Sequence, residues 1–241
     1  NQQLMRSLLS AGVPVIIPTW LSLERDNTGH YRVLRGYEGE TIITNDSYFG
    51  PEQRMDPYEL EALWAPFNHQ YIPVYRPEMA ATVNAILGAD AERDAMYARA
   101  VDETRAWTER EPANPFAWFT LGDNLLGHGE PEAALEAYAQ AREIGLHPHM
   151  YWYRFGPLEA LYAAGRYDEL LAEADRVLAE LPAIEEIQIL RGQALEQLGR
   201  PDEAVEAYRA ALVYNQHNVA AAEALARLGG TPPPTAVPTP R

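Results

Sequence analysis

The feature that most constrains the fold of this chain is a repeat in its second half with a period near 34 residues. Turn glycines recur at Gly129, Gly165 and Gly199, which are 36 and then 34 residues apart. Two of them are followed two residues later by a helix-starting proline, Pro131 and Pro201, at a position where the missing N–H costs nothing. A glycine that ends one helix and a proline that begins the next predict stacked pairs of helices.

Apolar and small residues also recur at matching places in the three units. They are Trp118, Leu121, Leu125, Ala134, Tyr138 and Ala141 in the first unit, Leu158, Leu161, Leu170, Ala174 and Val177 in the second, and Leu195, Ala204, Tyr208 and Ala211 in the third. The pattern resembles the tetratricopeptide repeat, in which small residues let two helices approach and large residues fill the gaps between successive pairs. The resemblance implies an all-α solenoid whose groove binds a peptide or protein partner.

The repeat pattern divides the chain into four segments. Residues 1–76 precede any repeat, and residues 77–114 suggest linking helices with the character of a degenerate repeat. Residues 115–228 would hold three repeats and a C-terminal capping helix, because the last apolar face of a solenoid must be covered. Residues 229–241 are rich in proline and threonine and predict an extended, disordered tail.

Upstream of the repeats, residues 29–46 predict a β-hairpin that brings His30 and Asp46 together. A three-residue loop at 37–39, with Gly39 in the left-handed region, would pair Leu34 with Ile42 and place His30 directly across from Asp46. A two-residue turn at 38–39 would instead pair His30 with position 47. In the favoured register the carboxylate can accept the imidazole N–H, fix its tautomer and stabilise the imidazolium.

These residues resemble the bacteriocin-processing, or double-glycine leader, type of papain-fold cysteine peptidase and its peptidase-like relatives. The resemblance covers about the first 75 residues: a short helix ending at Gly12, an apolar strand at 14–18, the hairpin, a helix at 57–64 and a strand at 71–75. It implies an α+β lobe with an antiparallel sheet, the second half of a papain-like domain. It also implies that His30 is the general base and that Asp46 orients it.

The nucleophile of that family is a cysteine, and none of the 241 residues is cysteine. The chain opens at Asn1 inside what looks like a helix, so we expect a truncated peptidase domain whose intact form hydrolyses peptide bonds. The alternative is a peptidase-like domain that is naturally non-catalytic, fused to repeats that bind a partner. In either case we do not expect this chain alone to hydrolyse peptides, because His30 and Asp46 lack a thiol to activate.

Composition excludes several classes of partner. The net charge is −16, and all 19 basic residues are arginine, which argues against nucleic acid and anionic membranes as partners. No apolar run reaches the ~20 residues of a membrane span, and we expect neither a cofactor nor a metal. An acidic groove favours a basic or apolar peptide. The lack of cysteine and lysine and the Pro/Thr tail are compatible with an exported or cell-surface bacterial protein.

Overall fold

The computed structural model of the protein describes residues 2–23 and 25–234, without the side chains of 25–27, 148 and 149. Residues 229–234, the described part of the predicted tail, form neither helix nor strand, and the rest of that tail lies outside the described residues. The chain forms two compact units, residues 1–130 with 136–147, and residues 131–135 with 148–241. The predicted boundary at residue 76 therefore lies within the first unit.

The first unit opens with an α+β lobe. Its elements are α1 (Gln2–Ser10), β1 (Val15–Ser22), β2 (Arg25–Glu38), β3 (Thr41–Asp46), β4 (Gly50–Met55), α2 (Pro57–Trp64) and β5 (Ile72–Pro73). The strands form one sheet in the order β4-β3-β2-β1-β5, and every neighbouring pair is antiparallel. The predicted α+β lobe with an antiparallel sheet is thus confirmed.

The core of this lobe is apolar and closed to solvent. Val15 and Ile17 of β1 and Leu34 of β2 are fully buried, as are Leu60 and Trp64 of α2. Helix α2 begins where Asp56 accepts a hydrogen bond from the Glu59 N–H at 2.9 Å, which satisfies one of the free donors of its first turn. The helix then packs against β1 and β3.

The hairpin between β2 and β3 differs from the predicted one, and the three-residue loop was wrong. Glu38 pairs with Thr41, so that the turn is Gly39-Glu40, with Gly39 at a φ of 57°. Glycine at the first central position is what a type II′ turn requires. A register shift then follows between Leu34 and Gly36, where Arg35 is the extra residue of a β-bulge.

The turn and the bulge together move the register of the hairpin by two residues. Leu34 faces Thr44 instead of Ile42, and Arg32, not His30, lies directly across from Asp46. A shift of one residue would have turned Asp46 to the other face of the sheet, whereas a shift of two retains the face. His30 and Asp46 therefore remain on one face, as diagonal neighbours.

The remaining regular elements of the described chain are helices, and they confirm the predicted helical repeats. They are α3 (Ala80–Leu87), α4 (Arg93–Arg110), α5 (Pro115–Gly127), α6 (Pro131–Ile144), α7 (Gly156–Ala163), α8 (Tyr167–Glu180), α9 (Glu185–Gln197), α10 (Pro201–Tyr214) and α11 (Val219–Arg227). Short 3-10 helices cover Ala65–Phe67, Pro77–Met79, Gly88–Ala91 and Pro148–Trp152. The turn glycines Gly129, Gly165 and Gly199 all have φ between 70° and 91°.

Small residues set the helix spacing within the repeats. A Cβ on Gly192 of α9 would lie 2.7 Å from the ring of Tyr208 on α10. Gly122 of α5 and Tyr138 of α6 repeat this arrangement, with a hypothetical Cβ 2.4 Å from the ring. Both tyrosine rings are almost fully buried, so glycine is what lets each helix pair close. Among the described helices, none has the length and apolarity to cross a bilayer.

Candidate functional site

The candidate site lies at the end of the hairpin farthest from its turn. His30 stands on β2 opposite Thr19 of β1, and Asp46 is the last residue of β3. The structure brings the two side chains together, with His30 Nε2 3.0 Å from Asp46 Oδ1. The side chain of Asp46 is fully buried, whereas 14% of the His30 side chain is exposed.

The turn that follows Asp46 donates two backbone hydrogen bonds to one oxygen of its carboxylate. Oδ1 accepts the backbone N–H of Tyr48 at 2.7 Å and that of Phe49 at 2.9 Å. An aspartate that bonds the N–H groups two and three residues ahead makes a local turn of its own. The oxygen that faces His30 is therefore held by the backbone, independently of the imidazole.

Arg32 is a third member of this cluster that the sequence analysis missed. Its Nε lies 2.9 Å from Asp46 Oδ2, in an ion pair that lacks the alignment of a hydrogen bond. Its Nη1 donates to Trp20 O at 2.8 Å and to Thr19 Oγ1, and its Nη2 donates to Leu21 O at 2.6 Å. Only 5% of the Arg32 side chain is exposed.

Spacing alone could have identified Arg32. It lies two positions after His30, and residues two apart on a strand share a face. A charged residue among apolar neighbours on a buried face needs a counterion, and Asp46 was already placed on that face.

Electrostatics keeps Asp46 and Arg32 ionised. Burial of Asp46 acts to raise its pKa, but the N–H groups of Phe49 and Tyr48 and the His30 ring outweigh burial and lower the pKa below its usual value. The Arg32 cation beside Oδ2 favours the same ionised form. Burial lowers the pKa of Arg32, with Asp46 and then Glu59 acting against that shift, and the guanidinium stays charged at neutral pH.

The contact with Asp46 gives different roles to the two ring nitrogens of His30. A carboxylate only accepts hydrogen bonds, so His30 must carry its proton on Nε2. Nδ1 is then the basic nitrogen of the neutral ring and can take a proton from a nucleophile. In the described residues no three His, Asp or Glu side chains come together in a way that could hold a metal ion.

The second unit contains an open cavity of about 590 Å³. Its lining includes Tyr162 of α7, Gln193 and Glu196 of α9, and Glu223 and Arg227 of α11. Glu196 accepts from Arg227 Nη2 at 2.9 Å and from the Tyr208 hydroxyl at 2.6 Å. The cavity therefore presents a mixture of aromatic, amide, carboxylate and guanidinium groups.

Comparison with known protein families gives two matches within the chain. Residues 2–72 match the Peptidase_C39 like family, and residues 185–218 match the tetratricopeptide repeat. No curated protein matches the chain.

Solved structures of one protein, MamA, resemble the chain. A crystal structure of MamA has 16% sequence identity and a TM-score of 0.50, with 58% of this chain and 82% of that chain covered. MamA from Desulfovibrio magneticus RS-1, residues 41 to the end, has 17% identity and a TM-score of 0.49, with 55% and 74% covered. At 16% identity, the similarity to the first of these structures shows the fold alone. The chain thus combines a lobe that matches the Peptidase_C39 like family with helices of which residues 185–218 match the tetratricopeptide repeat.

Proposed function

We propose that the α+β lobe supplies the general-base half of a papain-like cysteine-peptidase site, in which His30 activates a cysteine outside these 241 residues. The observation that carries the proposal is the 3.0 Å contact between His30 Nε2 and a buried, backbone-anchored Asp46. In this role Asp46 fixes the tautomer of His30. The thiol as reaction partner is inferred from the resemblance to the family.

The chemistry follows from the two ring nitrogens. Nδ1 of His30 takes the thiol proton while the sulfur attacks the carbonyl carbon of the peptide bond. The imidazolium, stabilised by Asp46 through Nε2–H, then returns that proton to the leaving amine, and a thioester remains. Water, deprotonated by the same nitrogen, hydrolyses the thioester and regenerates the thiol.

The test is hydrolysis by the complete gene product that contains this chain. We expect peptide cleavage that depends on a cysteine upstream of Asn1 and that falls by about 10²–10⁴ in His30→Ala, the usual contribution of a general base. His128→Ala is the matched control, because His128 also lies against a carboxylate, Glu130, at 2.7 Å. A gene product without an upstream cysteine, or a His30→Ala protein that cleaves at the parental rate, would refute the proposal.

A second candidate is a non-catalytic peptidase-like protein whose repeats bind a peptide. It is favoured by the lack of cysteine in the sequence and by the position of Arg32, which already neutralises Asp46 and leaves less charge to stabilise an imidazolium. Tetratricopeptide repeats as a class mediate protein–protein interaction, and the cavity in the second unit offers the carboxylate of Glu223 to a basic peptide.

Binding of basic and acidic peptides of equal length to the 241-residue chain tests this candidate. We expect the basic peptide to bind more tightly, and its binding to weaken as salt rises, because exposed charges are screened. Glu223→Gln should reduce the affinity, whereas Glu180→Gln, an equal charge change at the exposed end of α8, should not. Equal affinity for both peptides would contradict the assignment.

A further inference from the structure

Arg32 is a buried charge that a histidine and an aspartate do not need in order to form a pair. It stands directly across from Asp46 on one side and from Ile17 on the other, and its side chain is 5% exposed. Placing a cation inside a sheet is unfavourable unless it is paired and its donors are satisfied. Its presence at this position therefore calls for a role in the cluster.

The donors of Arg32 tie Asp46 to the backbone of β1. The guanidinium holds Trp20 O and Leu21 O at 2.8 and 2.6 Å on one side and approaches Asp46 Oδ2 at 2.9 Å on the other. The fork of an arginine is planar and rigid, so groups bound to its separate nitrogens are fixed relative to one another. A lysine at this position could supply the charge but not this geometry.

The two oxygens of Asp46 consequently have separate partners. Arg32 occupies the side of Oδ2, and Oδ1 is left to His30 and the two backbone N–H groups. The charged or titratable groups around the carboxylate are His30 and Arg32 on β2, with Glu59 of α2 acting on Arg32. Arg32 is thus the permanent cation beside Oδ2.

We infer that Arg32 is a positioning residue of the candidate site, which holds Asp46 ionised and turned so that Oδ1 accepts the Nε2–H of His30. The catalytic meaning of this role rests on the proposed function of His30, but the positioning itself does not. It is a property of the folded chain and needs no thiol.

The experiment is nuclear magnetic resonance on the 241-residue protein. The parent protein should show a low-field ring N–H proton of His30 that exchanges slowly with water, and an Asp46 carboxyl carbon that titrates below the usual range. In Arg32→Met we expect the proton signal to be lost and the Asp46 titration midpoint to rise, because an adjacent opposite charge favours the ionised carboxylate. Arg32→Lys should retain the low midpoint, because it retains the charge, while the His30 proton exchanges faster.

Arg35→Met is the matched control, since Arg35 lies on the same strand but is half exposed and pairs with Glu52 at the surface. It should leave both signals unchanged. Arg32→Met with an unchanged His30 proton and an unchanged Asp46 midpoint overturns the inference. If Arg32→Met does not fold, Arg32→Lys decides, because a lysine protein with parental proton exchange overturns the role of the fork. A failure of the proposed function would instead appear as absent hydrolysis with both signals intact.

Discussion

At Asp46 a single carboxylate serves two backbone N–H groups, an imidazole and a guanidinium. Such a cluster contributes little to stability when it is intact but costs much stability when one of its members is removed. Desolvation of two charges cancels much of their attraction, so the intact pair contributes little net stability, whereas removing one partner leaves the other buried and uncompensated. The residues of the site should therefore matter for folding as well as for chemistry.

Asp46→Asn tests that asymmetry. The substitution leaves Arg32 without its counterion, and we expect the free energy of unfolding at pH 7 to fall by about 3–5 kcal/mol, measured by urea unfolding. Glu52→Gln is the control, because Glu52 is the exposed partner of Arg35 and such surface pairs are worth up to about 1 kcal/mol. Equal losses in the two variants would show that the burial of Asp46 has no energetic consequence.

The pH dependence of stability follows from the lowered pKa of Asp46. A carboxyl whose pKa is lower in the folded chain than in the unfolded chain stabilises the fold fully above its unfolded pKa. It loses that contribution as the pH falls through the folded pKa. Below pH 3.8, the usual pKa of an aspartate carboxyl, the parent protein should therefore lose stability more steeply than Asp46→Asn. Urea unfolding midpoints of the two proteins, compared from pH 7 to pH 3, measure the difference. Parallel curves would contradict the assignment.

At the scale of elements, the repeats depend on contacts between the two helices of each pair. Gly192 and Tyr208 show the principle, since the tyrosine ring fills the space that a side chain on the glycine would occupy. The ring cannot move aside at low cost, because it is buried and its hydroxyl donates to Glu196 at 2.6 Å. The α+β lobe differs, because the register of its β2–β3 hairpin depends on a turn and a bulge instead of on helix contacts.

Gly192→Ala is the corresponding prediction. A methyl group 2.7 Å from the Tyr208 ring overpacks the helix pair, and we expect a loss of about 1–3 kcal/mol despite the higher helix propensity of alanine. Circular dichroism during urea unfolding would measure it. Gln197→Ala, at an exposed position of the same helix, should change the stability by less than about 0.5 kcal/mol. A Gly192→Ala protein as stable as the parent would mean that α9 and α10 can separate freely.

At the scale of the whole molecule, the dominant quantity is the net charge of −16. An excess of one sign of charge opposes the compact state through self-repulsion. Many of the arginines already pair with carboxylates within the repeats, such as Arg166 with Glu169 and Arg200 with Glu203. The excess carboxylates therefore remain to repel one another at the surface.

Salt should stabilise this chain. Raising the ionic strength from about 0.01 M to about 0.15 M shortens the Debye length from about 30 Å to about 8 Å, so repulsion between distant carboxylates weakens. We expect the thermal midpoint at pH 7 to rise with sodium chloride. The same titration near pH 4.7, the isoelectric point, should show a smaller effect. A midpoint that falls with salt at pH 7 would mean that surface ion pairs outweigh the net repulsion.

The sequence by itself determined the helical repeats. Helix ends depend on neighbouring residues, so Pro131, Pro201 and the turn glycines placed them directly. His30 and Asp46 were predicted to be close in a wrong register, and they lie on one face because the turn and the bulge together shift that register by an even number of residues. The tertiary structure alone decided the register itself, the ion pair of Arg32 and the cavity of the second unit. These depend on a bulge and on side chains from separate elements, whose energies no local pattern contains.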